Sequence, residues 1–85
     1  MNSSLYYRMN LTQFIENFAD LFDETDADNI QATTRFKDLD EWSSLVALSV
    51  IAMIDEEYDV EFRGDDIRGS NTVEDLYNIV SSRVD

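Results

Sequence analysis

Residues 42–58 read WSSLVALSVIAMIDEEY, a polar start followed by a long apolar run and an acidic end. The run contains no Gly or Pro, and its apolar residues recur at the spacing of an α-helix. Serine is favoured immediately before a helix, so either Ser43 or Ser44 can cap it. The stretch therefore predicts a helix from Ser44 to Tyr58.

This helix carries apolar residues on two sides. One stripe suits a protein core and consists of Val50, Ile51, Ile54 and Tyr58. The other, here called the outer strip, consists of Leu45, Leu48 and Ala52 with the flanking residues Ser49, Asp55 and Glu56. A bundle of a few short helices cannot easily bury a helix that is apolar all round. We therefore expect the outer strip to bind partner proteins, and the alternative is that the long connection or the chain's first residues cover it.

The segments before and after this helix also have helical spacing. A first helix is indicated by the spacing of Leu11, Phe14, Ile15, Phe18, Leu21 and Phe22. Asn10 is its possible N-cap and Gln13 the partner of that cap, and the helix should stop near Asp23. A long connection follows, and four apolar residues are expected to anchor it: Ile30, Phe36, Leu39 and Trp42. A short helical turn is expected after Gly64. A last helix, capped by Asn71 or Thr72, is indicated by Val73, Leu76, Tyr77 and Val80.

The predicted fold class is therefore all-α, a small bundle of three main helices plus a short fourth helical turn, with a long first connection. We expect five residues to pack together in its core: Phe14, Phe18, Ile54, Tyr58 and Leu76. The 85 residues allow one small domain, which we place at 9–85, after a loose extension over 1–8. Met1 and Met9 both remain open as the natural start.

Composition narrows the possible functions. The chain has no Cys and no His, which removes thiolate metal sites and the commonest general base. Asp23 and Asp28 do not belong to an EF-hand loop, because Asp28 stands at the sixth position, where Gly is needed. We therefore expect no metal site. No segment resembles a signal peptide or a bilayer span, and we expect a cytoplasmic protein.

The formal net charge of −13 indicates which partners the chain can bind. Such a surface repels phosphate backbones and anionic lipids, so we expect no nucleic acid and no membrane among them. It attracts basic surfaces of other proteins. The alternative is that the acidity only keeps a small protein soluble. We expect a monomer.

The pattern from Phe36 to Val80 resembles the acyl carrier proteins, whose Asp-Ser-Leu motif opens a helix. The family's serine corresponds to Ser44, which Leu45 follows, whereas Ser43 stands where the family usually has Asp. The resemblance implies that Ser44 receives phosphopantetheine from coenzyme A and that the arm's thiol holds acyl groups as thioesters. It also implies two kinds of partner, a phosphopantetheinyl transferase and acyl-handling enzymes with basic surfaces.

The chemistry of Ser44 agrees with modification by another enzyme. A serine hydroxyl is a weak nucleophile without a base, and nothing marks Lys37 as a desolvated one. Ser44 is therefore not expected to be catalytic, and the chain is not expected to be an enzyme. The start of a helix stabilises an attached phosphodiester through free N–H groups and the helix dipole. Ser43 could cap the helix while Ser44 carries the group.

Three functions remain open at this point. The first is an acyl carrier, and the second is a carrier for an aminoacyl or other specialised cargo. The third is an acidic interaction module without a prosthetic group, which would bind a basic partner through the outer strip. The sequence does not identify the cargo, the pathway, the partner enzymes or the transferase that accepts Ser43 in place of Asp.

Overall fold

The computed structural model describes residues 10–84. Its four α-helices are α1 (Leu11–Ala19), α2 (Ser44–Tyr58), α3 (Gly64–Arg68) and α4 (Val73–Arg83). Two short 3₁₀ turns interrupt the long connection between α1 and α2, at Ala27–Asn29 and Phe36–Asp38. No strand occurs within residues 10–84, so the predicted all-α bundle of three main helices and a short fourth is confirmed. The expected extension over 1–8 lies outside the described residues.

Helix α1 begins as predicted and ends earlier than predicted. The Asn10 side chain caps it by accepting a hydrogen bond from the backbone N–H of Gln13 at 2.9 Å. The helix ends at Ala19: the Asp20 N–H makes the last bond of helical spacing, to the Glu16 carbonyl, and the Leu21 N–H bonds to the Phe18 carbonyl, three residues back. The apolar stripe continues through this tighter turn, and Phe22 is still buried. Periodicity therefore identified the buried residues beyond the end of the helix itself.

The core is aromatic and lies between α1, α2 and α4. All five residues predicted for it are buried in one cluster: Phe14, Phe18, Ile54, Tyr58 and Leu76. The ring of Phe14 lies 5.7 Å from that of Tyr58 and 5.6 Å from that of Tyr77. Tilted and edge-on pairs at such distances are favourable geometries for aromatic rings. The core prediction is confirmed.

Helix α2 has the bounds that the sequence predicts. Ser43 is its N-cap and accepts a hydrogen bond from the Val46 N–H at 3.2 Å. The helix ends where Asp59 adopts a left-handed conformation with φ of 56°, which Asp tolerates better than most residues. Of the predicted core stripe, Val50, Ile54 and Tyr58 are buried, while Ile51 packs against the core but is only half-buried, since it also lines a groove towards α3. Met53 is buried in addition.

Aromatic contacts anchor the long connection. Phe36 is fully buried, with its ring 5.9 Å from Phe18 in α1 and 4.9 Å from Trp42 at the end of the connection. Ile30 is also buried, and Leu39 packs against the core. The four predicted anchors therefore all contact or join the core.

The Glu41 carboxylate binds the loop with which the long connection begins. Glu41 accepts hydrogen bonds from the backbone N–H groups of Asp23, Glu24 and Thr25 at 2.7, 3.0 and 2.9 Å. The Thr25 hydroxyl donates a fourth at 2.8 Å. Desolvation opposes ionisation of this carboxyl, yet the hydrogen bonds outweigh it and hold the pKa of Glu41 below its ordinary value. The loop after α1 is thereby tied to the residues just before α2.

The C-terminal half is joined by polar contacts. The Thr72 side chain caps α4, and the Asp75 carboxylate in turn accepts a hydrogen bond from the Thr72 N–H at 3.0 Å. The Thr34 carbonyl accepts from the Val73 N–H at 3.1 Å, which connects the long connection to α4. At the other end of α4, Arg83 contacts Asp66 in α3 through two hydrogen bonds of 2.8 and 2.9 Å.

Truncation of the central aromatic ring tests this core. Phe18→Ala should lower the free energy of unfolding by about 3–5 kcal/mol, because a fully buried ring leaves a cavity. Leu45→Ala is the control, since Leu45 is exposed and its loss should change stability by less than about 0.5 kcal/mol. Urea denaturation followed by circular dichroism measures both. Equal midpoints for the two variants would show that the buried faces are misassigned.

The Glu41 contact predicts a pH dependence. Because the pKa of Glu41 is lower in the folded protein than in the unfolded chain, where it is about 4.3, ionised Glu41 stabilises the fold at pH values above that unfolded pKa. This stabilisation is lost as the pH falls through the folded pKa. Glu41→Gln should therefore lower the thermal midpoint at pH 7 and flatten its decline between about pH 5 and 3. Glu24→Gln removes a charge from an exposed neighbour whose side chain makes no hydrogen bond within residues 10–84. Superimposable curves for the two variants would contradict the role of Glu41.

Candidate functional site

Ser44 is the first residue of α2, and its side chain is exposed. The hydroxyl has no hydrogen-bond partner among the described residues, whereas the neighbouring Ser43 hydroxyl is used by the Val46 N–H. The two serines therefore have different roles, as the sequence suggested. Ser43 satisfies the helix start, and Ser44 presents a free oxygen to solvent.

The start of α2 gives this oxygen a positive surrounding. The first backbone N–H groups of a helix, here those of Ser44 and Leu45, have no intrahelical acceptor. Together with the helix dipole they favour a negative group at this end. An anion attached at the Ser44 oxygen would lie in this field.

The residues before the two serines are firmly placed. Trp42 packs against Phe36, and its N–H donates to the Leu39 carbonyl at 3.0 Å. Glu41, one residue earlier, is held by the loop after α1 through its four hydrogen bonds. Asp40 and Glu41 both precede the positive end of α2, but the Glu41 carboxylate binds this loop. These two anchors fix where the chain enters the helix.

A groove of about 680 Å³ opens beside Ser44, between α2 and α3. Its walls are mainly apolar and are formed by Trp42, Ala47, Leu48, Ile51 and Ile67. Lys37 and Arg68 also line it. The groove could receive a flexible chain that starts at the Ser44 oxygen.

The outer strip faces away from the core. Leu45 and Leu48 are 74% and 63% exposed, so the long connection does not cover them. Ala52, Asp55 and Glu56 are exposed as well, while Ser49 is half-buried and its hydroxyl donates to the Leu45 carbonyl at 3.2 Å. No cation within residues 10–84 pairs with the two acids. Whether the chain's first residues cover the strip lies outside the described part.

The chemistry within reach of Ser44 is limited. Within residues 10–84 no side chain accepts a hydrogen bond from its hydroxyl, so no base is placed to activate it. In the same part of the chain, no group of three or more acidic side chains is arranged to hold a metal ion. None of the described helices has the length and apolar character that a bilayer span requires.

Sequence reasoning missed two features of the site. Lys37 was considered only as a base, and its place on the groove wall follows from the 3₁₀ turn at Phe36–Asp38, which has no periodic signal. The engagement of Glu41 by a loop 16 to 18 residues earlier was also missed. The available signal was a pair of acids, Asp40 and Glu41, just before α2, where the helix dipole is a sufficient explanation for them.

A family model described as a phosphopantetheine attachment site matches residues 12–80, which is most of the chain. Separate searches of curated proteins and of solved structures gave no significant match. Members of the matching family carry phosphopantetheine as a covalently attached prosthetic group. The exposed hydroxyl at a helix start and the apolar groove beside it fit such an arm. The chain therefore belongs to the phosphopantetheine-dependent carrier proteins, the family in which its resemblance to the acyl carrier proteins had placed it.

Proposed function

We propose that residues 9–85 form one acyl carrier domain whose phosphopantetheine is attached to Ser44. One observation carries this proposal: the Ser44 hydroxyl is exposed and unpartnered within the described residues, at the start of α2 and inside the matched region. The arm, once attached, supplies a terminal thiol on which acyl cargo is held as a thioester.

The attachment chemistry favours Ser44 over Ser43. The Ser44 oxygen forms a bond to a phosphorus of coenzyme A, the adenosine bisphosphate leaves, and the hydroxyl proton passes to a base of the transferase. Ser43 is less suited, because its hydroxyl oxygen already caps α2 through the Val46 N–H. Its modification would disturb the helix start, and loss of a cap costs about 0.5–2 kcal/mol.

The chain's own residues act by binding and positioning. The N–H groups at the start of α2 favour the negative phosphodiester, and the anchors Glu41 and Trp42 hold that helix end in place. The apolar groove offers a dry surface for the arm or its cargo. With no base placed at Ser44 in the described part of the chain, the reactions on the cargo belong to partner enzymes.

The outer strip is the proposed recognition surface for the transferase and for acyl-handling enzymes with basic surfaces. Its two leucines are the large apolar side chains most exposed among the described residues, and patches of this kind commonly mark interaction sites. Asp55 and Glu56 lie beside them without an internal cation, in a chain of net charge −13. The monomeric state and the cytoplasmic location stay predictions.

Ser44→Ala should abolish transfer of phosphopantetheine from coenzyme A, while Ser43→Ala should still be modified, though more slowly because the cap is lost. Incubation with a phosphopantetheinyl transferase, followed by intact-protein mass spectrometry, measures the transfer. Circular dichroism confirms that both variants remain folded. A mass increase that survives Ser44→Ala would rule out Ser44 as the attachment point.

The outer strip should contribute to loading through two separable effects. Reversal of Asp55 and Glu56 to Lys should slow loading at low salt and matter less at high salt, because long-range attraction is screened over about 10 Å at 0.1 M. Leu48→Ser should impair loading at low and at high salt, since burial of an apolar side chain contributes about 1.5–3 kcal/mol to binding at either salt concentration.

The matched control for the charge reversal is Glu16→Lys with Asp20→Lys. It changes the net charge equally at two exposed residues, one in α1 and one directly after it. Rates of loading across a salt series compare all four proteins. If the outer-strip variants load like wild type throughout, α2 is not the recognition helix.

A further inference from the structure

The groove beside Ser44 differs in charge from other clefts of the protein. Its lining contains two basic residues, Lys37 and Arg68, and no acid. A second cleft has no base in its lining and is acidic through Asp23, Glu24, Asp26, Asp40 and Glu41. A third mixes two arginines with the four acids Asp59, Glu61, Asp65 and Asp66. In a chain of net charge −13, a cleft lined by bases alone favours an anion.

Lys37 carries the free positive charge of this groove. Four other cations of the described chain are each in an ion pair: Arg35 with Asp38, Arg63 with Glu61, Arg68 with Asp65 and Arg83 with Asp66. Lys37 has no carboxylate partner within residues 10–84. Its Nζ donates to the Arg68 carbonyl at 3.1 Å and lies 5.7 Å from the centre of the Phe36 ring. An ammonium group has three donors, so two remain available.

We propose that Lys37 binds the phosphodiester of the arm on Ser44 and thereby holds the beginning of that arm in the groove between α2 and α3. The inference rests on the proposed attachment to Ser44. Lys37 and Ser44 line the same groove, and an ammonium group is a good point-charge ligand for phosphate. The Phe36–Asp38 turn fixes the Lys37 backbone, because Phe36 is fully buried.

The phosphodiester is a better partner for Lys37 than a charge on the cargo. Attachment places its negative charge next to the Ser44 oxygen in every loaded molecule, whatever cargo the thiol carries. Ser43, where the family usually has Asp, leaves no carboxylate at the neighbouring position to compete for the ammonium group. The first part of the arm would then lie against Trp42 and Ile67, two walls of the groove.

Loading should therefore change two signals that do not depend on the activity of any partner enzyme. The NMR signals of the Lys37 side-chain ammonium group should shift on loading at low salt and return towards their unloaded positions at about 1 M salt, because salt screens a contact between exposed charges. Fluorescence of Trp42, the single Trp of the chain, should also change on loading.

Three variants complete the experiment, each compared unloaded and loaded. Lys37→Gln should lose most of the fluorescence change, whereas Lys37→Arg, which keeps the charge, should retain it. Arg35→Gln is the matched control, since it removes an exposed cation two residues away that does not line the groove. Mass spectrometry establishes loading first, and circular dichroism establishes that each variant is folded.

The outcomes separate this inference from the proposed function. If wild type gains no mass, both are overturned. If it loads but the NMR signals of the Lys37 side chain do not move, or if Lys37→Gln gives the fluorescence change of wild type, only the role of Lys37 is overturned. If the signals change only after an acidic cargo is added, Lys37 binds the cargo and the phosphodiester contact is wrong. Loading with a Lys37-dependent change on the bare arm supports the inference.

Discussion

The position of the functional helix depends on one buried ring. Phe36 lies between Phe18 of α1 and Trp42 at the entry to α2, and it is fully buried. A connection of this length has a large conformational entropy to lose, so it needs a strong internal contact to adopt one path. Because Trp42 directly precedes the two serines, the packing of the core also determines where Ser44 is presented.

Much of this fold is readable from the sequence, because it depends on local patterns. The 3.6-residue period gave the bounds of α2 and the buried faces of all three main helices, including Phe14, Ile54 and Leu76. Capping chemistry allowed Ser43 or Ser44 as the cap, and in the structure Ser43 is the residue that caps α2. The proposed attachment residue could therefore be named from the sequence, since the proposal depends on the start of a single helix.

The parts that were not predicted depend on contacts between distant segments. The tight turn that ends α1 leaves the apolar pattern intact, so periodicity extended the helix through Phe22. The four bonds to Glu41 come from backbone and hydroxyl groups of a loop far earlier in the chain, which no side-chain pattern announces. The free charge of Lys37 is equally hidden, because it follows from where the other cations find carboxylates.

The same small size that limits the core explains why part of the apolar surface of α2 stays exposed. A three-helix domain buries one face of α2 against Phe14 and Leu76, and too few helices remain to cover the others. One remaining side becomes the outer strip with Leu45, and the other becomes the groove towards α3. Ser44 lies at the end of the helix where these two surfaces meet a positive helix terminus. On the proposed function, a partner that binds the strip would lie beside the proposed attachment point at Ser44.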